Sequence, residues 1–235
     1  MSIILAIDAA ADGCSVALQS GADTFSRYTD APRAHSKVLY PMLDEVLGEA
    51  GINKHQLQGV AFGKGPGSFT GIRIAAATAQ GLGFALDIPL LPVSSLQGMA
   101  QQTYMQHGVQ NVLTILDARM SELYFGLYAF DGATGLMQPQ KEDCIDAIAA
   151  QPWADDLPAG LVGVGNGWQM GDALAPAIRA AALQQFADIL PHARYLLPAA
   201  QVMLQQGQGV APEEIELVYL REQSHWKTIN QQQKS

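Results

Sequence analysis

Apolar and polar positions follow a regular pattern along the first fifty residues. Residues 3–8 are almost continuously apolar, while residues 14–20 and 23–29 alternate apolar and polar side chains between short turns. Such segments, separated by Gly- and Asp-containing turns, are typical of an antiparallel β-meander. Residues 35–50 repeat apolar side chains at i, i+4 and i+8, which predicts a helix with one buried face.

The pattern then changes to alternating strands and helices. A strand, a helix, a strand and a helix are predicted at 57–64, 70–86, 88–94 and 95–107. With the preceding elements, the order is β-β-β-α-β-α-β-α. This is the order of a ribonuclease H-like unit, in which three antiparallel strands continue into a parallel pair with crossover helices.

A second, looser group of elements begins after residue 108. Its two strands, helix, third strand and late helix are predicted at 111–119, 122–132, 142–150, 159–167 and 195–209. We interpret this group as a smaller repetition of the first plan. The sequence therefore predicts an α/β protein with lobes at 1–105 and 106–225, the last helix packing back on the first lobe. A polar tail at 226–235 completes the chain.

The stretch "GKGPGSFTG" at residues 63–71 is the main candidate for binding chemistry. It fails the Walker pattern, because Lys64 precedes Gly65. It also fails the dinucleotide pattern, because Ser68 and Thr70 occupy the sixth positions. A rigid turn with an N-capping residue, Ser68 or Thr70, is favoured over an anion site at the helix start, which stays open as the alternative.

Small residues recur every fourth position in the following helix, an arrangement that lets another helix approach its backbone closely. Such a stripe is usually an intramolecular contact, but we also predict a partner surface on helices 35–50 and 70–86. The predicted partner-binding residues are Leu39, Met42, Leu43, Val46, Gly71, Ala75, Ala79 and Gly83. On this interpretation, Ala79→Arg should abolish partner binding and leave a folded monomer.

Composition limits the possible functions. The chain has 235 residues and a net charge of −9, with only 13 Lys and Arg residues. Tight unassisted binding to nucleic acid is not expected, because phosphate contacts need clustered Lys and Arg. The two cysteines lack metal-ligand spacing, no two histidines are three to five residues apart, and no segment is long enough to cross a bilayer. We expect a cytoplasmic protein without a metal site.

Several motifs together resemble the TsaB (YeaZ) family. They are "ILAID", "CSVAL", "HSKVLYPMLDEVL", "GPGSFTGIRI" and "LDARMSELYFGLY", and the resemblance extends from Ile3 to "PEEIELVYLRE". It implies an actin/Hsp70/sugar-kinase-like fold of two ribonuclease H-like lobes. It also implies a non-catalytic subunit, without a cofactor of its own, in the threonylcarbamoyladenosine modification of tRNA beside the anticodon.

The resemblance also implies partners. These are the catalytic subunit TsaD, the ATPase TsaE and a second copy of the chain, with tRNA reached only through the complex and no membrane contact. The first two helices, at 35–50 and 70–86, would pack against equivalent helices of TsaD or of the second copy.

Enzymes of this fold hold nucleotide phosphates at the turn after the first strand. The candidate residues for a vestigial nucleotide cleft are Asp8, Gly13, Gly65, Gly67, Ser68 and Arg119. The turn itself offers Ala9 and Ala10, which have no side-chain donor, and Asp12, which repels phosphate. We therefore favour a structural Asp8 bonded to neighbouring backbone amides. An ATP-dependent kinase or ATPase of the same fold stays the alternative.

Asp117 and Arg119 flank a predicted turn between two strands of the second lobe. A local ion pair is the favoured interpretation. A contact to TsaE or to nucleotide in an assembled complex is the alternative.

Overall fold

A computed structural model describes residues 2–30 and 34–221 of the chain, and the predicted tail at 226–235 lies outside these residues. The strands are β1 Ile3–Asp8, β2 Cys14–Ser20, β3 Asp23–Thr29, β4 Gly59–Gly63, β5 Leu90–Val93, β6 Asn111–Arg119, β7 Glu122–Asp131, β8 Leu136–Pro139, β9 Cys144–Ala147, β10 Leu161–Val164 and β11 Ala182–Phe186. The α-helices are α1 His35–Ala50, α2 Phe69–Leu86, α3 Ser95–His107, α4 Pro176–Ala181 and α5 Leu197–Gln205. Short 3₁₀ segments connect several of them, among them Lys54–Gln56 and Pro212–Glu214.

The first sheet has the strand order β3-β2-β1-β4-β5. The first three strands pair antiparallel, and β1, β4 and β5 pair parallel. This confirms the predicted ribonuclease H-like order. Strand β1 is apolar without alternation because both of its faces are covered: Leu5 and Ile7 face one core, and Ile4 and Ala6 face another.

Helices α1 and α2 cover one face of this sheet with the same apolar stripes that the sequence pattern singled out. The proposed partner residues all lie in that layer: Leu39, Met42, Leu43, Val46, Ala75 and Ala79 are at most 7% exposed, and Gly71 and Gly83 are buried as well. A sheet covered on both faces needs an apolar layer on each side, and these residues supply one of them. The structure thus corrects the predicted partner-binding residues: the eight face the chain's own core.

The glycines of the α2 stripe show why the helix needs small residues there. A Cβ at Gly71 would overlap the carbonyl oxygen of Ala9, and a Cβ at Gly83 would lie 2.9 Å from Leu90 and Pro212. The stripe therefore allows close approach within the chain, which is the ordinary interpretation of such spacing. An interaction surface on α1 and α2, if present, must use their opposite sides.

The second sheet repeats the first. Its order is β11-β10-β6-β7-β8, with β6, β7 and β8 antiparallel and β6, β10 and β11 parallel. The predicted repetition of the plan is confirmed. Among the described residues, no helix combines the length and the apolar character that crossing a membrane requires.

The predicted helix at 142–150 is wrong, because Cys144–Ala147 forms strand β9. It pairs antiparallel with the Glu122–Phe125 part of β7. Strand β8 pairs only with the far end of β7, residues 128–131. Without β9, the rest of that edge of β7 would have backbone donors and acceptors without partners. Residues 144–147 therefore form a strand there, although the local pattern predicted a helix.

Two helices each pack against the sheet of the other lobe. Helix α3 follows the first sheet but packs Leu96 and Met99 against the second-sheet core around Val112. Helix α5 follows the second sheet but packs Leu197 and Ala200 against the opposite face of the first sheet. Each sheet thus depends on a helix from the other lobe, while the division at residue 105 stays a prediction.

Candidate functional site

Asp8 ends strand β1 and is 1% exposed. The backbone amide of Ala10 donates to its Oδ1 over 2.8 Å, and the Ser95 hydroxyl donates to its Oδ2 over 2.9 Å. Burial raises the pKa of Asp8 to about 6, although both hydrogen bonds act to lower it. The predicted bond between Asp8 and a backbone amide is confirmed, and Ser95 adds a link to the start of α3.

Replacing Asp8 by asparagine should change how stability depends on pH. The pKa of Asp8 is about 6 in the folded chain against an ordinary 3.8, so the folded chain binds this proton more tightly. The wild type should therefore lose up to about 3 kcal/mol as pH rises through that interval, at about 1.4 kcal/mol for each pKa unit. Asp8→Asn lacks this titration, so its stability relative to wild type should improve with rising pH.

Denaturant unfolding of both proteins at pH 4 and pH 7 measures the effect of Asp8→Asn. The control is Asp44→Asn, which removes an exposed carboxylate from α1. A difference between Asp8→Asn and wild type that is the same at both pH values would contradict the prediction.

The glycine-rich stretch at residues 63–71, here called the glycine loop, packs directly on the turn after β1. The Ser68 amide donates to the Ala10 carbonyl over 2.7 Å, and the Ser68 hydroxyl accepts from the Gly71 amide over 3.3 Å. Ser68 is thus the N-cap of α2, one of the two predicted candidates. A Cβ at Gly67 would lie 2.7 Å from that of Ala10. The Ser68 and Gly71 amides near the helix start are therefore engaged within the chain, which leaves fewer free amide donors for an anion.

The other two candidate glycines also serve packing. Gly13 lies against the hydroxyl end of the Tyr28 side chain, where a Cβ would be 2.6 Å from the ring carbon Cζ. Gly65 has φ +97°, and its carbonyl accepts from the Ser95 amide over 3.0 Å. Only glycine adopts that φ without strain. The loop and the turn are therefore held together by close backbone contacts.

Arg119 lies at the end of β6 with an exposed side chain. It pairs with Asp117 over 3.1 Å, which confirms the predicted local ion pair, and also with Asp12 over 3.1 Å. The second contact was not predicted, and it joins the β6–β7 turn to the turn after β1. Exposed pairs of this kind contribute roughly 0–1 kcal/mol. The pair therefore orients the two turns more than it stabilises the chain.

Sequence analysis missed Arg221, which holds the β6–β7 turn from a distant part of the chain. Its guanidinium donates to the Glu122 carboxylate and, over 3.0 Å, to the Ala118 carbonyl. Residues 119–121 between them have φ values from 58° to 63°, which is unusual for three successive non-glycine residues. No local pattern could have linked residue 221 to a turn a hundred positions earlier.

The outward sides of α1 and α2 differ from the buried stripes. We define the outer face of α1 and α2 by its exposed apolar and small residues, which are Tyr40, Pro41, Phe69, Ala77, Gly81, Phe84 and Ala85. Arg73 is the single charged residue of α2, and its guanidinium lies 3.7 Å from the centre of the Phe69 ring. A Cβ at Gly81 would meet nothing within 4 Å. Around Arg73, this side of α2 therefore carries mainly exposed aromatic and small residues, with open space over Gly81.

Within the described part of the chain, no three His, Cys, Asp or Glu side chains come close enough to hold a metal ion. His35, at the start of α1, is buried and contacts the Asp12 carbonyl through Nε2 over 2.9 Å. The candidate cleft is thus a junction in which the turn after β1, the glycine loop and the β6–β7 turn contact one another.

Comparison with known proteins gives similarity along nearly the whole chain. The family model described as "TsaD: tRNA N6-adenosine threonylcarbamoyltransferase" matches residues 28–219. The proteins named "tRNA threonylcarbamoyladenosine biosynthesis protein TsaB" of Haemophilus influenzae and Escherichia coli are 34% and 35% identical, each over 96% of this chain. These alignments cover 96% and 97% of the two relatives.

A solved structure agrees with the sequence comparison. The protein titled "YeaZ from Pseudomonas aeruginosa" superposes with a TM-score of 0.85 at 37% identity, and the alignment covers 94% of this chain and 100% of that one. The two-lobe fold is therefore shared with a solved relative. With sequence and structure in agreement over almost its full length, the chain belongs to the TsaB (YeaZ) family.

Proposed function

We propose that the chain is a non-catalytic subunit in the threonylcarbamoyladenosine modification of tRNA, and that it supports a catalytic subunit of the TsaD type. The relatives named for this biosynthesis support the pathway. The observation that carries the subunit role is the outer face of α1 and α2. Helix α2 has 18 residues and one charge, and it presents Phe69 and Phe84 at 57% and 59% exposure.

Such a face is suited to a protein partner. Contiguous exposed apolar surface on a folded protein marks an interaction site, and aromatic residues are enriched in interface cores. The small residues Ala77 and Gly81 between the two phenylalanines leave room for a helix of the partner to approach the α2 backbone. The partner is TsaD or a second copy of the chain, and the two would compete because they use the same face.

The candidate cleft supports the non-catalytic part of the proposal. Both oxygens of Asp8 are engaged by Ala10 and Ser95, and the Ser68 amide is engaged by Ala10. The Ser68 amide would have to release the Ala10 carbonyl before it could donate to a phosphate, and an ionised Asp8 repels a phosphate. The net charge of −9 further favours contact with tRNA through a partner. Association with TsaE stays a prediction from the resemblance, and a cytoplasmic location stays a prediction from the composition.

Reconstitution tests the proposed function. Purified chain, TsaD and TsaE are incubated with unmodified tRNA, ATP and the threonylcarbamoyl donor, and the modified nucleoside is quantified by mass spectrometry. We expect modification only when the chain is present together with TsaD. Two results would contradict the proposal: full modification without the chain, or saturable ATP hydrolysis by the chain alone, which would favour the kinase or ATPase alternative.

A further inference from the structure

A cavity of about 680 Å³ opens between the two lobes and shares no lining residue with the outer face of α1 and α2. Its walls come from the ends of β4 and β5, the start of α3, strand β7, the segment before β9, and the C-terminal segment. The lining residues used below are Lys64, Pro92, Ser94, Tyr128, Asp143 and Leu220. Small-molecule sites have volumes of about 300–1,000 Å³ and tend to lie between domains.

A fixed carboxylate lies in this cavity. The buried Tyr128 hydroxyl donates to Asp143 Oδ1 over 2.6 Å, and the Ser94 hydroxyl donates to Oδ2 over 2.7 Å. Each carboxylate oxygen has two lone pairs, so each keeps one acceptor site for a ligand. Burial raises the pKa of Asp143, while the two hydroxyls and the nearby charge of Lys64 act to lower it. Asp143 is not among the candidate residues that the sequence pattern indicated.

A lysine lines the same cavity. The backbone of Lys64 is fixed on both sides, because its amide donates to the Val93 carbonyl and its carbonyl accepts from the Val218 amide, each over 2.9 Å. Among residues 2–30 and 34–221, no carboxylate lies within ion-pair distance of its ammonium. Its charge is near enough to influence Asp143 without contacting it. Two opposite charges thus border the cavity with a gap between them.

The remaining wall is largely apolar. Pro92, Pro139, Val218 and Leu220 line it, and the Gln97 amide nearby is already engaged with the Met137 carbonyl over 2.9 Å. The rim residue Lys141 is paired with Asp156 over 2.9 Å. The exposed residue Glu142 also borders the cavity. A ligand that reaches the fixed carboxylate of Asp143 therefore meets that group, the Lys64 ammonium and hydrocarbon.

We propose that this cavity binds a small zwitterion of the α-amino acid class, with its carboxylate on Lys64 and its ammonium on Asp143. The adjacent opposite charges of such a ligand fill the gap between the two side chains. Its side chain lies against Pro92 and Leu220, which favours a short aliphatic group. This inference does not depend on the proposed function, because the residues that line the cavity differ from those of the outer face of α1 and α2.

Calorimetric titration of the full chain tests the proposal with defined probes. L-valine and L-threonine have the same shape and differ in one methyl-to-hydroxyl change. Isovalerate is valine without the ammonium, and isobutylamine is valine without the carboxylate. We expect saturable binding of at least one amino acid, at least tenfold tighter than that of isovalerate, isobutylamine or inorganic phosphate. Absence of saturation with both amino acids would overturn the proposal, as would equal binding of isovalerate or phosphate.

Two variants assign the binding to the cavity. Lys64→Met keeps the aliphatic stem and should weaken amino acid binding at least tenfold, with an unchanged unfolding midpoint. Asp143→Asn keeps an acceptor for Tyr128 and should weaken binding to a similar extent. The matched control is Lys54→Met, an exposed lysine on the 3₁₀ segment Lys54–Gln56, which should bind as wild type does. Wild-type affinity in folded Lys64→Met would overturn the assignment.

Discussion

Replacing Gly71 by alanine is expected to destabilise the chain by about 3 kcal/mol or more, at the upper end of the range for overpacking. The added Cβ would overlap the Ala9 carbonyl oxygen and lie 2.9 Å from the Ala9 carbonyl carbon. These are backbone atoms, so no side chain can rotate to make room. The turn after β1 would have to move, and with it the 2.7 Å hydrogen bond from the Ser68 amide to the Ala10 carbonyl.

The same helix supplies the control for Gly71→Ala. A Cβ at Gly81 meets nothing within 4 Å. Gly81→Ala should therefore show only the helix-propensity gain of about 1 kcal/mol and stabilise the free chain. Urea unfolding of wild type and both variants measures the two effects. If Gly71→Ala proved as stable as Gly81→Ala, the close approach of α2 to the turn would be contradicted.

Replacing Ala77 by arginine should weaken binding to TsaD at least 100-fold, or about 2.7 kcal/mol, while the chain stays folded. Ala77 lies exposed on α2 between Phe69 and Phe84. A guanidinium there is solvated in the free chain but would be desolvated, without a partner, beneath a docked helix. Isothermal titration calorimetry measures the affinity, and circular dichroism checks the fold.

Ala79→Arg is the matched comparison, two residues along the same helix. Ala79 is 0% exposed and packs in the first-sheet core. Its replacement should unfold the chain, contrary to the folded monomer that the sequence pattern suggested. Unchanged affinity of a folded Ala77→Arg variant would show that TsaD does not bind the outer face of α1 and α2.

The regular elements of the first lobe were accessible from sequence because local patterns determine them. Helix α1 and helix α3 have the predicted bounds, and α2 begins one residue earlier than predicted. Ser68 and Ser94 cap the helices that follow them. These features depend on residues within one or two turns of one another, so the sequence specifies them without knowledge of the rest of the fold.

The candidate site could be predicted from sequence only in part, because several of its contacts join residues that are far apart along the chain. The ion pair of Arg119 with Asp117 is local and was predicted, whereas its pair with Asp12 joins positions 107 residues apart. Strand β9 forms because β7 leaves an edge without partners, which no window around residues 142–150 reveals.

By itself, the sequence determined the order of strands and helices in the first lobe, the repeated plan of two lobes, and which residues of α1 and α2 are apolar or small. Only the tertiary structure decided which neighbour those residues meet. Apolar periodicity shows that a helix has a side to bury, but an intramolecular sheet and a partner protein satisfy it equally well. In this chain the helices bury their apolar sides against the sheet, because sheet and helices belong to the same chain and meet on folding. The surface left for a partner is consequently the side marked by Ala77 and Gly81.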